Sequence, residues 1–179
     1  MKIPFRTRLL IWWLRKGHQQ KQSESGRLAF RNGGVGLKRV IIIFPENESD
    51  IRIARYFLKS ILNNDEIEIV ILGKGQLAYA DHTDGKVKVQ KYCDGDFTFW
   101  GGVKTASLNK LFPDPLDAII DLNSEFNIQT AMITRFSKAA LRVGFKSEHS
   151  YNFFNIEIDH KPETFIERGY ISIQKLMGL

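Results

Sequence analysis

Two periodicities alternate along most of the chain. Residues 39–44, Arg-Val-Ile-Ile-Ile-Phe, form an unbroken β-branched run, the composition of a strand covered on both faces. After a turn over 45–48, Ile51, Ala54, Phe57, Leu58, Ile61 and Leu62 recur at helical spacing. Ser49 is the expected N-cap, and Asn63-Asn64-Asp65 ends the helix. A second strand is predicted over 66–72, closed by Gly73 and Gly75, and a weaker third over 86–92. A short helix near 107–112 stops at Pro113 and Pro115. Residues 117–122 read as a fourth strand. Ser124 is positioned to cap a helix over 125–138 with the stripe Ile128, Met132, Ile133 and Phe136. A fifth strand follows at 141–145, then an extended piece at 153–158 and a last helix from Pro162 to Leu176.

This alternation predicts an α/β fold. The expected unit is a three-layer Rossmann-like domain over 39–179, with a mostly parallel sheet and helices on both faces. Ligands of such sheets sit beyond the carboxyl ends of strands. That singles out the turn 45–50, the loop after Gly73, and Asn123-Ser124.

The first 38 residues do not continue the pattern. Residues 5–16 predict a helix with an apolar arc of Leu10, Ile11, Trp13 and Leu14, and with Trp12 among its bases. A Gln-, Ser- and Gly-rich linker follows to residue 38. The net charge of the 179-residue chain is +6, but ten bases and one acid in the first 40 residues give that stretch +9 and leave −3 for the rest. Arg6, Arg8, Arg15, Lys16, Lys21, Arg27 and Arg31 are therefore candidate contacts for an anionic partner, with Trp12 and Trp13 able to stack. RNA, a ribosome or a membrane surface would each fit, as would a solvated arm. The longest early apolar run is 9–14, far short of the roughly 20 residues of a spanning helix, so no transmembrane segment is expected. The single cysteine, Cys93, excludes an internal disulfide and suggests a reducing, cytoplasmic setting.

Few motifs carry chemistry. Gly33-Gly34-Val35-Gly36 precedes a strand, where a phosphate-binding turn would follow one. It reads as a hinge. Gly73-Lys74-Gly75 has no third glycine. The four histidines, His18, His82, His149 and His160, are scattered, and Asp81-His82-Thr83-Asp84 reads as a solvated turn. No metal and no cofactor is expected, and Cys93 reads as a buried or incidental thiol. The acids are better placed. Asp50 falls in the first turn of a helix just after the first strand, where it serves the helix dipole or acts as a general base. Asp117 marks the entry of the fourth strand, and Asp121 lies at its ligand end with Asn123 and Ser124.

Asp117-Ala-Ile-Ile-Asp-Leu-Asn123, the stretch Ala131 to Arg135 with Ser137 and Ala139, and Arg142-Val-Gly-Phe145 resemble glycosyltransferase family 9, which includes bacterial heptosyltransferases. Residues 39–179 are similar to its acceptor-side, N-terminal half, and also to short bacterial single-domain proteins of uncharacterised function. The resemblance implies that Asp50 occupies the place of the family's catalytic Asp. The chain departs from the pattern in four ways. Ser49 stands where that family has Gly; the preceding loop, Pro45-Glu46-Asn47-Glu48, is acidic; Ser137-Lys138-Ala139 lacks the usual Gly; and the chain ends where a donor-binding second domain would begin. The resulting expectation is a stand-alone, non-catalytic binding or scaffold domain. The alternatives are an RNA- or ribosome-associated protein using the basic arm, half of a split glycosyltransferase acting with a separate donor-binding chain, and a peripheral membrane protein.

Overall fold

A computed structural model describes residues 8–9, 11–12, 37–62, 67–75, 87–159 and 166–177. Six strands join one sheet: β1 (Arg39–Ile43), β2 (Glu68–Lys74), β3 (Lys88–Tyr92), β4 (Ala118–Asp121), β5 (Leu141–Phe145) and β6 (Ile156–Ile158). Their order is β3-β2-β1-β4-β5-β6, and every pair is parallel. The helices are α1 (Glu48–Ile61), α2 (Thr105–Leu111), α3 (Ile128–Phe136) and α4 (Ile166–Met177).

The β-branched runs explain the layering. Val40, Ile42 and Phe44 point to one face, where Ala54, Phe57, Leu58 and Ile61 of α1 and Tyr170 and Ile173 of α4 cover them. Ile41 and Ile43 point to the other, under Leu111 of α2 and Ile133 of α3. Each such buried aliphatic side chain stabilises the fold by roughly 1.5–3 kcal/mol. The result is the expected three-layer α/β architecture. Asp117 ties its entry edge together: its Oδ2 accepts the backbone N–H groups of Lys38 and Arg39 at 2.7 and 2.9 Å.

Several boundaries differ from those expected, each for a local reason. Gly73 does not close β2, because it and Lys74 pair with Lys91 and Tyr92. The cap of α1 is Asn47, not Ser49; its side chain accepts the Ser49 N–H at 3.1 Å. The cap of α3 is Asn127, not Ser124, which delays the helix to Ile128. After α3, Lys138 has φ 60, the left-handed conformation that glycine adopts without strain. The backbone thus keeps the shape that the missing glycine would favour. Cys93 is exposed rather than buried. Pro162, Gly33 to Gly36, the group 81–84, and the arm bases Arg6, Arg15, Lys16, Lys21, Arg27 and Arg31 lie outside the described residues, as do Leu10, Trp13 and Leu14.

Of the arm, Arg8, Leu9, Ile11 and Trp12 are described, and all four are helical. Ile11 is only 4% exposed. It packs in one apolar cluster with Ala131, Met132, Phe153 and Phe154, so the arm is seated on the body at this point.

Candidate functional site

The strand order reverses between β1 and β4, since β1 leads outward to β2 and β4 leads the other way to β5. In open parallel sheets this switch point, at the carboxyl ends of the two strands, is where the ligand crevice lies. The expected candidates, Asp50, Asp121, Asn123 and Ser124, are brought together there. Asp50, in the first turn of α1, is 7% exposed. Its Oδ2 accepts the Ser124 hydroxyl across the crevice, a contact between residues 74 positions apart. Its Oδ1 lies 3.3 Å from the Ser49 hydroxyl. That hydroxyl also reaches Asn47 Oδ1 at 3.0 Å, and its one proton serves one acceptor at a time.

Asp121 is the last residue of β4 and is buried. Its Oδ1 accepts the Asn123 backbone N–H at 3.0 Å and the Asn123 side-chain amide at 2.6 Å. Burial pushes its carboxyl up to about 6, against the opposing pull of the Thr130 hydroxyl and the Asn123 amides; the charge of Glu46 adds to the rise. Asn123 then carries the network onward, its Oδ1 accepting the Glu46 N–H at 3.2 Å.

Glu46, read from sequence only as part of an acidic turn, is central to the site. Its Oε1 accepts both the Tyr92 hydroxyl and the Asn127 side-chain amide at 2.9 Å. It therefore clamps β1, β3 and the start of α3 together. Beside it, Lys74 Nζ lies 3.0 Å from Asp94 Oδ1 and donates to Gln129 Oε1 at 3.0 Å, while Gln129 Nε2 donates to Asp94 at 2.9 Å. The Gln129 and Lys74 contacts hold the Asp94 carboxyl below its usual range. On the inner side, the buried Tyr170 hydroxyl donates to the Leu122 carbonyl at 2.8 Å. Burial raises its pKa, and the nearby charges of Asp50, Asp121 and Glu167 raise it further. Tyr170 sits on the core face of α4, where its aromatic ring reads as packing. Only the fold places its hydroxyl beneath the crevice.

Chemically, the crevice is rich in acceptors. Glu46, Asp50, Asp94 and Asp121 belong to its hydrogen-bond network, against Lys74. It suits hydrogen-bond donors such as hydroxyl or amino groups, and it disfavours phosphates by like-charge repulsion. Among the described residues, no three His, Cys, Asp or Glu side chains are grouped to hold a metal ion. Among them too, no helix is long and apolar enough to cross a membrane.

Two solved structures share the fold. One is the E. coli heptosyltransferase WaaC with ADP, at 16% identity and TM-score 0.58, covering 78% of this chain and 47% of that one. The other is the glycosyl transferase family 9 from Veillonella parvula DSM 2008, at 13% identity and TM-score 0.61, covering 83% of this chain and 42% of that one. The chain spans less than half the length of either. The sheet therefore has the architecture of a family 9 glycosyltransferase domain. No curated protein matches the chain. A family model matches residues 9–168, from the arm through to α4, and by that match the chain belongs to the Family of unknown function (DUF6913).

Proposed function

We propose that the chain is a binding domain related to the acceptor side of family 9 glycosyltransferases, holding a hydroxyl-rich ligand at the β1–β4 crevice without catalysing transfer itself. The observation that carries this reading is the state of Asp50. A general base must accept the proton of the substrate hydroxyl at hydrogen-bond distance. Asp50 is buried, its Oδ2 already accepts a hydrogen bond from the Ser124 hydroxyl, and its Oδ1 faces Ser49. A substrate hydroxyl must compete with Ser124 and Ser49 for a carboxylate that is already buried and hydrogen-bonded. The acidic rim supports the second half of the reading, because a nucleotide diphosphate would meet like charge there.

The test is calorimetric titration with nucleotide sugars, with the matching free sugars and with short oligosaccharides, alongside an assay for sugar transfer. The expected result is no tight binding of nucleotide sugars and no turnover, with hydroxyl-rich ligands binding and losing affinity in Asn123→Ala. Tight binding of a nucleotide sugar, together with turnover abolished by Asp50→Asn, would show an active transferase and overturn the proposal.

A further inference from the structure

A second feature lies outside the crevice. Phe97 and Val103 form an antiparallel bridge that closes a tight turn. The Thr98 N–H donates to the Gly102 carbonyl at 2.7 Å, and the Gly101 N–H donates to the Thr98 carbonyl at 2.9 Å. Gly101 has φ 86, a left-handed conformation that glycine permits. The turn presents Phe99 and Trp100, 72% and 57% exposed, in edge contact with centroids 5.8 Å apart and planes at 85°. The hydrogen-bonded turn thus holds two large aromatic side chains largely in water.

The base of this turn meets the arm. Val103 packs against the cluster that contains Ile11. With Ile11 seated inward, Leu9 and Trp12 stand 43% and 53% exposed, and Arg8 is exposed beside them. Two segments 90 residues apart thus meet at one cluster through Ile11 and Val103, and each exposes aromatic side chains beside that contact; Lys104, next to Val103, is exposed and donates to the Gly95 carbonyl at 2.6 Å. The same arm carries Lys2, Arg6, Arg15 and Lys16, and no acid precedes Glu24. The two acids near the turn, Asp94 and Asp96, are held by Lys74 and Gln129, and by Ser107 and the Cys93 N–H.

We infer that this face, formed by the arm helix and the Phe99–Trp100 turn, binds the surface of an anionic lipid bilayer. Tryptophan favours the headgroup level, where its ring is buried and its N–H stays wet. Phenylalanine and leucine gain by entering the acyl boundary, and the bases are drawn to anionic headgroups. Single-stranded RNA would also draw the bases, but it uses open ring faces. Here exposed Leu9 offers a base nothing to stack on, whereas it suits the acyl boundary.

The chain carries its own reporter. Its three tryptophans are Trp12, Trp13 and Trp100, all in the arm or the turn. The full chain is mixed with vesicles of phosphatidylcholine, with vesicles of phosphatidylcholine and phosphatidylglycerol, and with poly(U). Binding is read by co-sedimentation, and tryptophan emission is read with and without brominated acyl chains. The expected result is binding to the phosphatidylglycerol vesicles, with a blue shift and quenching by the brominated lipid. Binding should weaken at least about tenfold in Phe99→Ser/Trp100→Ser, from the lost burial of the two rings, with an unchanged circular dichroism spectrum. Should that variant misfold, the emission of the native chain decides alone. Absence of a blue shift on phosphatidylglycerol vesicles overturns the inference, as does native-level binding by the folded double variant. Salt-sensitive binding to poly(U) without vesicle binding overturns it in favour of a nucleic-acid surface.

Discussion

Replacing Asp121 with Asn should stabilise the protein at neutral pH. An ordinary aspartyl group titrates near 3.8, and burial at the end of β4 pushes this one up to about 6. At neutral pH the folded state therefore holds a carboxylate that the unfolded chain ionises more easily. The difference costs on the order of 3 kcal/mol. Asparagine removes the charge and keeps the shape. Its Oδ1 can still accept from the Asn123 backbone and side-chain amides, and its amide can face the Thr130 hydroxyl. Imperfect geometry for the new donor returns about 1 kcal/mol, which leaves a gain of about 1–2 kcal/mol at pH 8.

The gain must depend on pH with a definite sign. Between 3.8 and about 6 the folded state binds more protons at Asp121 than the unfolded chain does, so its contribution to stability falls as pH rises through that window. Above about 6 the penalty is complete; below 3.8 both states are protonated and it vanishes. The advantage of Asp121→Asn should thus be full at pH 8 and shrink to nothing or reverse by pH 4. Glu68, Asp94 and Asp96, whose carboxyls are held below their ordinary values, are common to both proteins and cancel in the difference. Urea unfolding of the two proteins from pH 4 to pH 8 measures it. A variant less stable than the native protein at pH 8, or a difference that does not change with pH, would refute the reasoning.

Lys138→Gly should stabilise the chain by about 0.5–1 kcal/mol in the same urea assay. It relieves the roughly 1–2 kcal/mol of a left-handed side-chain-bearing residue and adds back backbone freedom in the unfolded state; a loss of stability would contradict the φ of 60. Gly144→Ala should destabilise by about 1–3 kcal/mol, because its Cβ would lie 2.5 Å from Cζ of the buried Phe154 ring. Thermal melting of that variant at an unchanged midpoint would count against the packing of β5 on Phe154. Ile11→Ala should lower stability by about 2 kcal/mol, the low end for a buried isoleucine, since an arm helix can lift away instead of leaving a cavity. No loss in its urea midpoint would mean that the arm contributes no stability where it is seated.

The strands were legible because β1, β2 and β4 are buried on both faces, so β-branched composition alone marks them. Their parallel direction followed from crossover length, whereas their order did not. Helix starts were less legible. Asn47 and Ser49 are both good caps, and Ser124 and Asn127 are too. The choice between them is made by tertiary bonds that no local pattern contains. Asn123 folds back on Asp121 and Asn127 donates to Glu46, which holds residues 123–127 out of the helix and frees Ser124 to pair with Asp50. Strand-end position correctly brought Asp50, Asp121, Asn123 and Ser124 to one place. Glu46 was noted only as part of an acidic loop, because its partners Tyr92 and Asn127 lie 46 and 81 residues away.

Helix α3 connects the two surfaces. Its N-terminal end belongs to the crevice: Asn127 caps it and bonds Glu46, Gln129 bonds Lys74 and Asp94, and the Thr130 hydroxyl stands beside Asp121. One residue further on, Ala131 and Met132 form the seat of Ile11. The seat and the crevice therefore share one helix, yet their chemistry is opposed. The crevice gathers carboxylates, while the 38-residue arm docked on the seat carries +8 against −2 for the rest of the chain. One face cannot serve both a hydroxyl-rich ligand and an anionic surface on those terms. The division of charge favours two separate contacts, a surface held by the arm and the aromatic turn and a ligand held at the strand ends. Substitutions on either side of α3 can be used to take the two apart.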